Sequence, residues 1–397
     1  MRGALSMRTG RMIVSVLGDT FADIVCRPLE RLPAWGTDSL VSEPIRVMLG
    51  GSAANFAVHA TNLNKAKPPI TATTTRDAQT TAVTGALAAA AVEDEAATTQ
   101  TMGDGVARGG VSSQLHQQRC VLHTSVASDD MGEFVRRKLD EYGVEWSQAK
   151  EREHQGACVV LSGREDRSFV THRGSAALFC REDINVSRLL ESSHVHVAGF
   201  YNCPALWKDL PGLLAEAKAR GASCSLGPQW DASEAWEGLE PLYPYLDVFM
   251  PNEDEALNIS GCTDVAEAAS FFLDRGVGLV VVTKGGGGAL AVSKRDTSGG
   301  SGSESRGGRD GGLQKKWEQQ CVPVEVVDTT GAGDAFGAGF LHVWKATGGG
   351  NGDVGGAGCG DVQAALRWGC ALGTTVVTRV GASSKLSVED DIRPNLL

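Results

Sequence analysis

The densest chemistry in this 397-residue sequence lies between Val326 and Phe340, V-V-D-T-T-G-A-G-D-A-F-G-A-G-F. An apolar run leads to Asp328, and the small-residue turn Gly331-Ala332-Gly333 opens a helix at Asp334. The first turn of a helix carries N–H groups with no intrahelical acceptor, at the positive end of the helix dipole. Glycines at that end let an anion approach the backbone. Such a turn is an anion hole suited to the charge that builds on a transferring phosphoryl group. A carboxylate beside it, Asp334, can take the proton from an attacking hydroxyl. Asp and glycines alone would equally suit an ordinary N-cap after a tight turn.

Five other groups carry side chains with chemical use. In Pro251-Asn252-Glu253-Asp254-Glu255, Asn252 and Glu255 offer the oxygen ligands that Mg²⁺ prefers while it keeps several waters. The same residues also suit a charged helix start. In Gly50-Gly51-Ser52-Ala53-Ala54-Asn55, the glycines allow close approach of a ligand, and Asn55 has donors and acceptors for hydroxyls. In Gly18-Asp19-Thr20-Phe21-Ala22-Asp23, the last carboxylate can accept from two hydroxyls at once. Arg173-Gly174 brings a cation, for an anionic ligand group or for a surface ion pair. Thr283-Lys284-Gly285-Gly286-Gly287-Gly288 follows a Val-rich run, and there is no G-x-x-x-x-G-K-[ST] sequence, which excludes the P-loop mechanism.

The string D-T-T-G-A-G-D-A-F-x-A-G-F resembles the C-terminal signature of the PfkB, or ribokinase-like, carbohydrate kinase family. The resemblance extends from Val14 to Gly381, interrupted by three inserts. It implies an ATP-dependent phosphotransferase acting on a hydroxyl of a small sugar or sugar-like molecule. Within it, Asp334 is the catalytic base and Gly331, Ala332 and Gly333 form the anion hole. Asn252 and Glu255 match an N-x-x-E motif that organises Mg²⁺, usually through water. Asp23, Gly50, Gly51, Asn55 and Arg173 match substrate-side positions, and Thr283, Gly285 and Gly288 match a loop along the nucleotide. Asp328 and Thr330 match positions that often help bind a monovalent cation, K⁺, in ribokinase-like members. A departure is Gly227-Pro228, where related kinases often carry D-P. A nucleoside kinase of the same superfamily, marked by an aromatic wall for a base, and a non-catalytic scaffold are the competing readings. The joint retention of Asp334, the anion-hole glycines, Asn252 and Glu255 favours the enzyme.

These residues need elements to hold them. Short β-branched runs alternate with helical periods, as in βαβ units of a doubly wound, mostly parallel sheet flanked by helices. Strands are expected at Met12–Leu17, Ser39–Met48, Val121–Ser128, Ala157–Ser162, Ser168–Thr171, Val195–Ala198, Ser223–Leu226, Val248–Met250, Leu279–Thr283, Ala289–Ser293 and Val322–Val327. Helices are expected at Ala53–Leu63, Asp130–Tyr142, Leu206–Arg220, Asp254–Ile259, Val265–Asp274, Asp334–Lys345 and Val362–Val377. The N-terminal part has more strands than crossover helices, which implies a small β-sheet lid beside the main sheet. One ribokinase-like domain over 12–381 is expected, with low-complexity or Gly-rich inserts at 68–118, 294–312 and 347–360.

Composition narrows the class. A net charge of −11 without a Lys/Arg block argues against nucleic acid or a membrane surface as partner. The 10 Cys include no C-x-x-C pair, so neither a structural zinc nor a disulfide framework is expected. No apolar run approaches a membrane span. Met1–Arg11 is too short for an ordinary signal peptide, so a cytoplasmic protein is expected, with a homodimer by analogy to ribokinase-like enzymes.

Overall fold

A computed structural model describes residues 12–65, 118–148, 150, 152–163, 167–294, 314–350 and 360–396. Of the three expected inserts, 68–117, 295–312 and 351–359 lie outside the described residues.

The chain enters through β1 (Ile13–Gly18), crosses to β2 (Phe21–Leu29) and β3 (Arg46–Gly50), and enters helix α1 (Ser52–Lys65). Then come β4 (Arg119–His123), α2 (Asp130–Tyr142), β5 (Glu145–Ser147), β6 (Ala157–Gly163), β7 (Arg167–His172) and the short α3 (Val186–Leu189). The second half runs β8 (His194–Ala198), α4 (Leu210–Ala219), β9 (Ser223–Gly227), β10 (Val248–Phe249), α5 (Glu253–Ser260) and α6 (Val265–Asp274). It closes with β11 (Leu279–Thr283), β12 (Ala289–Lys294), β13 (Gln314–Gln319), α7 (Ala332–Ala346) and α8 (Val362–Val377).

Among the described residues, nine strands form one sheet in the order β13-β12-β11-β10-β9-β8-β1-β4-β5. Pairing is parallel from β5 to β11 and antiparallel at β12 and β13. Alternate residues feed two apolar layers. Val248, Leu279 and Val281 pack on the α1, α7 and α8 side. Phe249, Val280 and Val282 pack on the α4 and α6 side. A parallel sheet covered on both faces reads as continuous apolar runs, which is why these strands are visible in the sequence. A second sheet, β3-β2-β6-β7, forms the expected lid. Among the described residues no helix is long and apolar enough to cross a membrane.

Several elements differ from expectation. The segment Val322–Val327 is not a strand; Gln314–Gln319 takes that place against β12. Pro323 lacks the ladder donor, and Val326 is 58% exposed. Gln314–Gln319 reads as polar because it is an edge strand whose Trp317 packs on the core. The strand around Asp23, β2, went unread between two glycine motifs. The stretch 39–45 is irregular, and only Arg46–Gly50 pairs there. Helix α4 starts at Leu210 rather than Leu206, after 3₁₀ turns, and β4 stops at His123.

Candidate active site

The strand order reverses at β1, whose neighbours are β8 on one side and β4 on the other. In open α/β sheets the crevice beyond the carboxyl ends at such a point accommodates ligands. A cleft of ≈ 1510 Å³ opens there, with Asp19, Asp23, Asn55, Arg173, Asn252 and Asp334 on its walls. Asp19, at the end of β1, accepts from the Ala53 amide (3.1 Å) and from the Asn202 amide nitrogen (2.8 Å). It thereby ties the start of α1 to the loop after β8, and burial raises its carboxyl.

Helix α7 begins at Ala332, two residues earlier than expected, with Gly331 as its cap, so Asp334 occupies the third helical position. Gly331 has φ +76°, and an added Cβ would lie 2.5 Å from the Ala382 Cβ. Both conformation and space therefore demand glycine. The first-turn amides at Gly333 and Asp334 have no acceptor four residues back in the helix.

The Asp334 carboxylate is gripped from both sides. Asn55 Nδ2 donates to Oδ2 at 2.9 Å, and Gln229 Nε2 donates to Oδ1 at 3.3 Å. Ser383 Oγ donates to Asn55 Oδ1 at 2.8 Å, which fixes the amide so that its nitrogen faces Asp334. Burial pushes the Asp334 carboxyl up to about 7, against the opposing pull of donors Asn55, Ser52 and Gln229. Burial likewise pushes Asp23 up to about 7, and the charges of Asp19, Asp334 and Asp328 add to the shift. Gly50 makes room for Asp23: a Cβ there would sit 2.1 Å from its carboxyl. Gly51, at φ +90°, turns the chain from the lid into α1 and lines the cleft.

On the opposite wall, Asn252 and Glu255 form a reciprocal capping box on α5. The Asn252 amide donates to Glu255 Oε2 (2.9 Å), and the Glu255 amide donates to Asn252 Oδ1 (2.8 Å). The charged-helix-start reading is thus correct in geometry. Yet Glu255 is buried on the cleft wall, where desolvation, with Asp334 and Asp254 adding, pushes it up to about 7. Thr283 meets Asn252 in a parallel bridge and lines the cleft. The loop it opens is closed by Lys284 N–H donating to Gly288 O (2.8 Å). Gly285 and Gly288 belong to that loop but not to the cleft wall.

Thr330 and Ala332 line the cleft, but Asp328 stands behind it. Asp328 Oδ1 accepts from the Thr330 amide and hydroxyl (2.9 and 2.7 Å), and Oδ2 accepts from the Gly381 amide (2.9 Å). Arg167 lies 3.8 Å from the same carboxylate. Arg173 is half-buried on the cleft wall, and its guanidinium has no hydrogen-bond or ion-pair partner among the described residues. Gly227, the departure singled out in the sequence, also lines the cleft. Two residues on, Gln229 sits at φ +67° and supplies the contact to Asp334.

Asp19, Asn202, Gln229 and Ser383 were missed by the sequence reading. Only Asp19 lay inside a motif already singled out. The other three act from loops that follow β8, β9 and α8, with no local pattern to mark them.

The sequence matches the profile of pfkB family carbohydrate kinases over residues 105–389. It is 29% identical over 234 residues to fructoselysine 6-kinase of Shigella flexneri, covering 58% of this chain and 76% of that protein. The fold is similar to that of adenosine kinase from Sinorhizobium meliloti (TM-score 0.66, 18% identity, 97% of this chain and 99% of that one). A ribokinase-type structure from E. coli, solved in complex with ATP and Mg²⁺, aligns with TM-score 0.64 at 19% identity over 97% of this chain and 100% of that one.

Proposed function

The chain belongs to the pfkB family of carbohydrate kinases, and on that footing we propose that it transfers the γ-phosphoryl group of ATP to a hydroxyl of a small sugar or sugar-like acceptor. The observation that carries the proposal is the Ser383–Asn55–Asp334–Gln229 line of hydrogen bonds beside a helix start with free amides. Asp334 accepts the hydroxyl proton as the new O–P bond forms and the bond to the ADP oxygen breaks. A base with a carboxyl near 7 is matched to neutral pH. The Gly333 and Asp334 amides, with Gly331 and Ala332 shaping the turn, face the charge on the phosphoryl oxygens. Asp23, Asn55 and Gly51 orient the acceptor, which supplies the proximity that dominates such chemistry.

Mg²⁺ fits the donor set. Glu255 is a hard oxygen ligand whose burial disfavours its charge, and a dication nearby reverses that cost. Asn252 and Glu255 would hold the ion through water, because their inner oxygens cap α5. The ion would neutralise phosphate charge. Thr283, Gly285 and Gly288 would carry the nucleotide. A monovalent cation at Asp328 and Thr330 would compete with the Arg167 guanidinium, and K⁺ addition tests for it.

One observation favours a nucleoside acceptor as the second reading: Phe169 and Trp230, 49% and 46% exposed, both line the cleft. These are the aromatic faces a base would stack on. ADP release with MgATP against sugars, sugar acids, polyols and nucleosides, with and without K⁺, separates the readings. Turnover confined to sugars supports the first and turnover confined to nucleosides the second. A folded protein that binds ATP and turns over no acceptor speaks for a non-catalytic role.

A further inference from the structure

Strands β8 and β9 carry a polar ladder inside an otherwise apolar layer. His196 lines the cleft, is 3% exposed, and stacks its ring on Phe56 at 4.2 Å between centroids. Its Nδ1 lies 2.8 Å from Ser225 Oγ. Ser225 Oγ lies 2.7 Å from His194 Nε2, and His194 Nδ1 lies 2.7 Å from Ser223 Oγ. The ladder ends at Lys345 of α7, also 3% exposed, whose Nζ donates to Ser223 Oγ (2.9 Å) and to Gly349 O (2.8 Å). The other ring nitrogen of His196, Nε2, has no hydrogen-bond partner among the described residues and is not sealed from the cleft. The next pair along this face, toward the cleft, is Ala198 and Gly227. Both are small, and both line the cleft. Neither backbone nor packing demands Gly227: its φ is not left-handed, and the nearest atom to an added Cβ is Met250 O at 3.8 Å. Gly337, one turn beyond Asp334, likewise leaves 3.6 Å to the Phe56 ring.

We propose that Ala198, Gly227 and Gly337 open a sub-pocket for an uncharged oxygen of the acceptor, hydroxyl or carbonyl, with His196 Nε2–H as its donor and Lys345 as the positioning residue that keeps it a donor. A neutral imidazole has one N–H, so the ladder decides which nitrogen carries it. The Lys345 ammonium only donates, so Ser223 Oγ accepts from it, and its charge favours every dipole that turns its positive end away. Ser223 O–H then donates to His194 Nδ1, His194 Nε2–H to Ser225 Oγ, and Ser225 O–H to His196 Nδ1. The His196 proton is left on Nε2, open to the cleft. Burial lowers His196 to about 3, so the ring stays neutral and offers no charge to an anion. Burial also lowers Lys345, to about 8, which leaves the ammonium charged at pH 7. Phe56 and Met250 make the rest of the lining apolar. The pocket adjoins the reacting centre, because Phe56 follows Asn55, which donates to Asp334. A donor at this depth left without a partner costs more than a made hydrogen bond contributes, so an acceptor lacking that oxygen is rejected. That the occupant is the acceptor rests on the kinase reading above; the tautomer does not.

The test labels the histidines of the full-length chain with heavy nitrogen and reads the His196 tautomer by NMR, the signal being assigned by its loss in His196→Gln. Wild type shows the proton on Nε2. In Lys345→Met, shown to be folded by its thermal melt, the proton moves in part to Nδ1. Kinetics then compare wild type, His196→Leu and Gly227→Val on ribose, fructose and adenosine and on their monodeoxy forms. Both variants raise the acceptor KM about three- to tenfold and leave the KM for ATP unchanged. One hydroxyl whose removal lowers kcat/KM in wild type makes no further difference in His196→Leu. A wild-type proton on Nδ1, or a tautomer indifferent to Lys345→Met, overturns the ladder. Deoxy forms that lose equally in wild type and His196→Leu overturn the pocket. A wild type that turns over no acceptor sinks the kinase reading and the occupant with it, whatever the tautomer.

Discussion

The two walls of the cleft are built in opposite ways. The wall around Asp334 is assembled across long sequence distances: Asn55 and Asp334 are 279 positions apart, Ser383 and Asn55 328, and Gln229 and Asp334 105. The wall at Asn252 and Thr283 is assembled locally, from a capping box spanning three residues and a loop closed from Lys284 to Gly288. The first wall collects Asp19, Asp23 and Asp334, three carboxyls that burial raises. The second holds one such carboxyl, Glu255, and satisfies most of its polar groups within its own turns. Three raised carboxyls gathered on one wall point to a reactive site, and the mainly local satisfaction at the other suits a docking surface.

Breaking the long-range wall at its centre gives the largest effect. Asp334→Asn lowers turnover by about 10²–10⁴-fold in steady-state assays. A carboxyl whose folded value is raised favours the fold below its unfolded value, near 3.8, and loses that contribution as pH rises through about 7. Asp334→Asn is therefore more stable than wild type at pH 8, by about 2 °C or more in Tm, and loses the advantage near pH 4. Equal Tm values at both pH values would contradict the burial of that charge.

Next in size is Gly331→Ala, where a positive φ and the 2.5 Å approach to Ala382 cost about 1–3 kcal/mol in denaturant unfolding. Across the cleft, Glu255→Gln raises the KM for ATP about three- to tenfold and leaves the acceptor KM unchanged. A change in the acceptor KM instead would erase the division between the walls. Smallest is Ser383→Ala, which frees the Asn55 amide and costs about 0.5–1.5 kcal/mol of stability. Its kinetic signature is a lower kcat with the KM for ATP intact.

The same contrast explains what could be read from the sequence. The Asn252 and Thr283 wall is built from two short segments, 252–255 and 283–288, each contiguous in sequence, so its residues appeared as motifs. The Asp334 string was legible as a whole, through its resemblance to the kinase-family signature, since its glycine turn alone would equally suit an ordinary N-cap. Asn55 lay within a motif, but its partners Ser383 and Gln229 sit in loops placed only by the closed fold. The parallel strands announced themselves as apolar runs, whereas edge strand Gln314–Gln319 shows one half-buried aromatic among polar residues and was displaced in the reading to the apolar Val322–Val327. Gly227 read as a departure from the family pattern, and two residues later Gln229 makes a contact to Asp334 that no motif marked.

The central claim is that Asp334 is the base. The direct measurement is the turnover of wild type and Asp334→Asn across pH 5 to 9, with the best acceptor at saturation. The account predicts that wild-type turnover rises through about pH 7 and levels off, and that the variant stays folded, binds ATP, and turns over at least about 10²-fold more slowly at every pH. Turnover in the variant close to wild type, with the same pH profile, would contradict it.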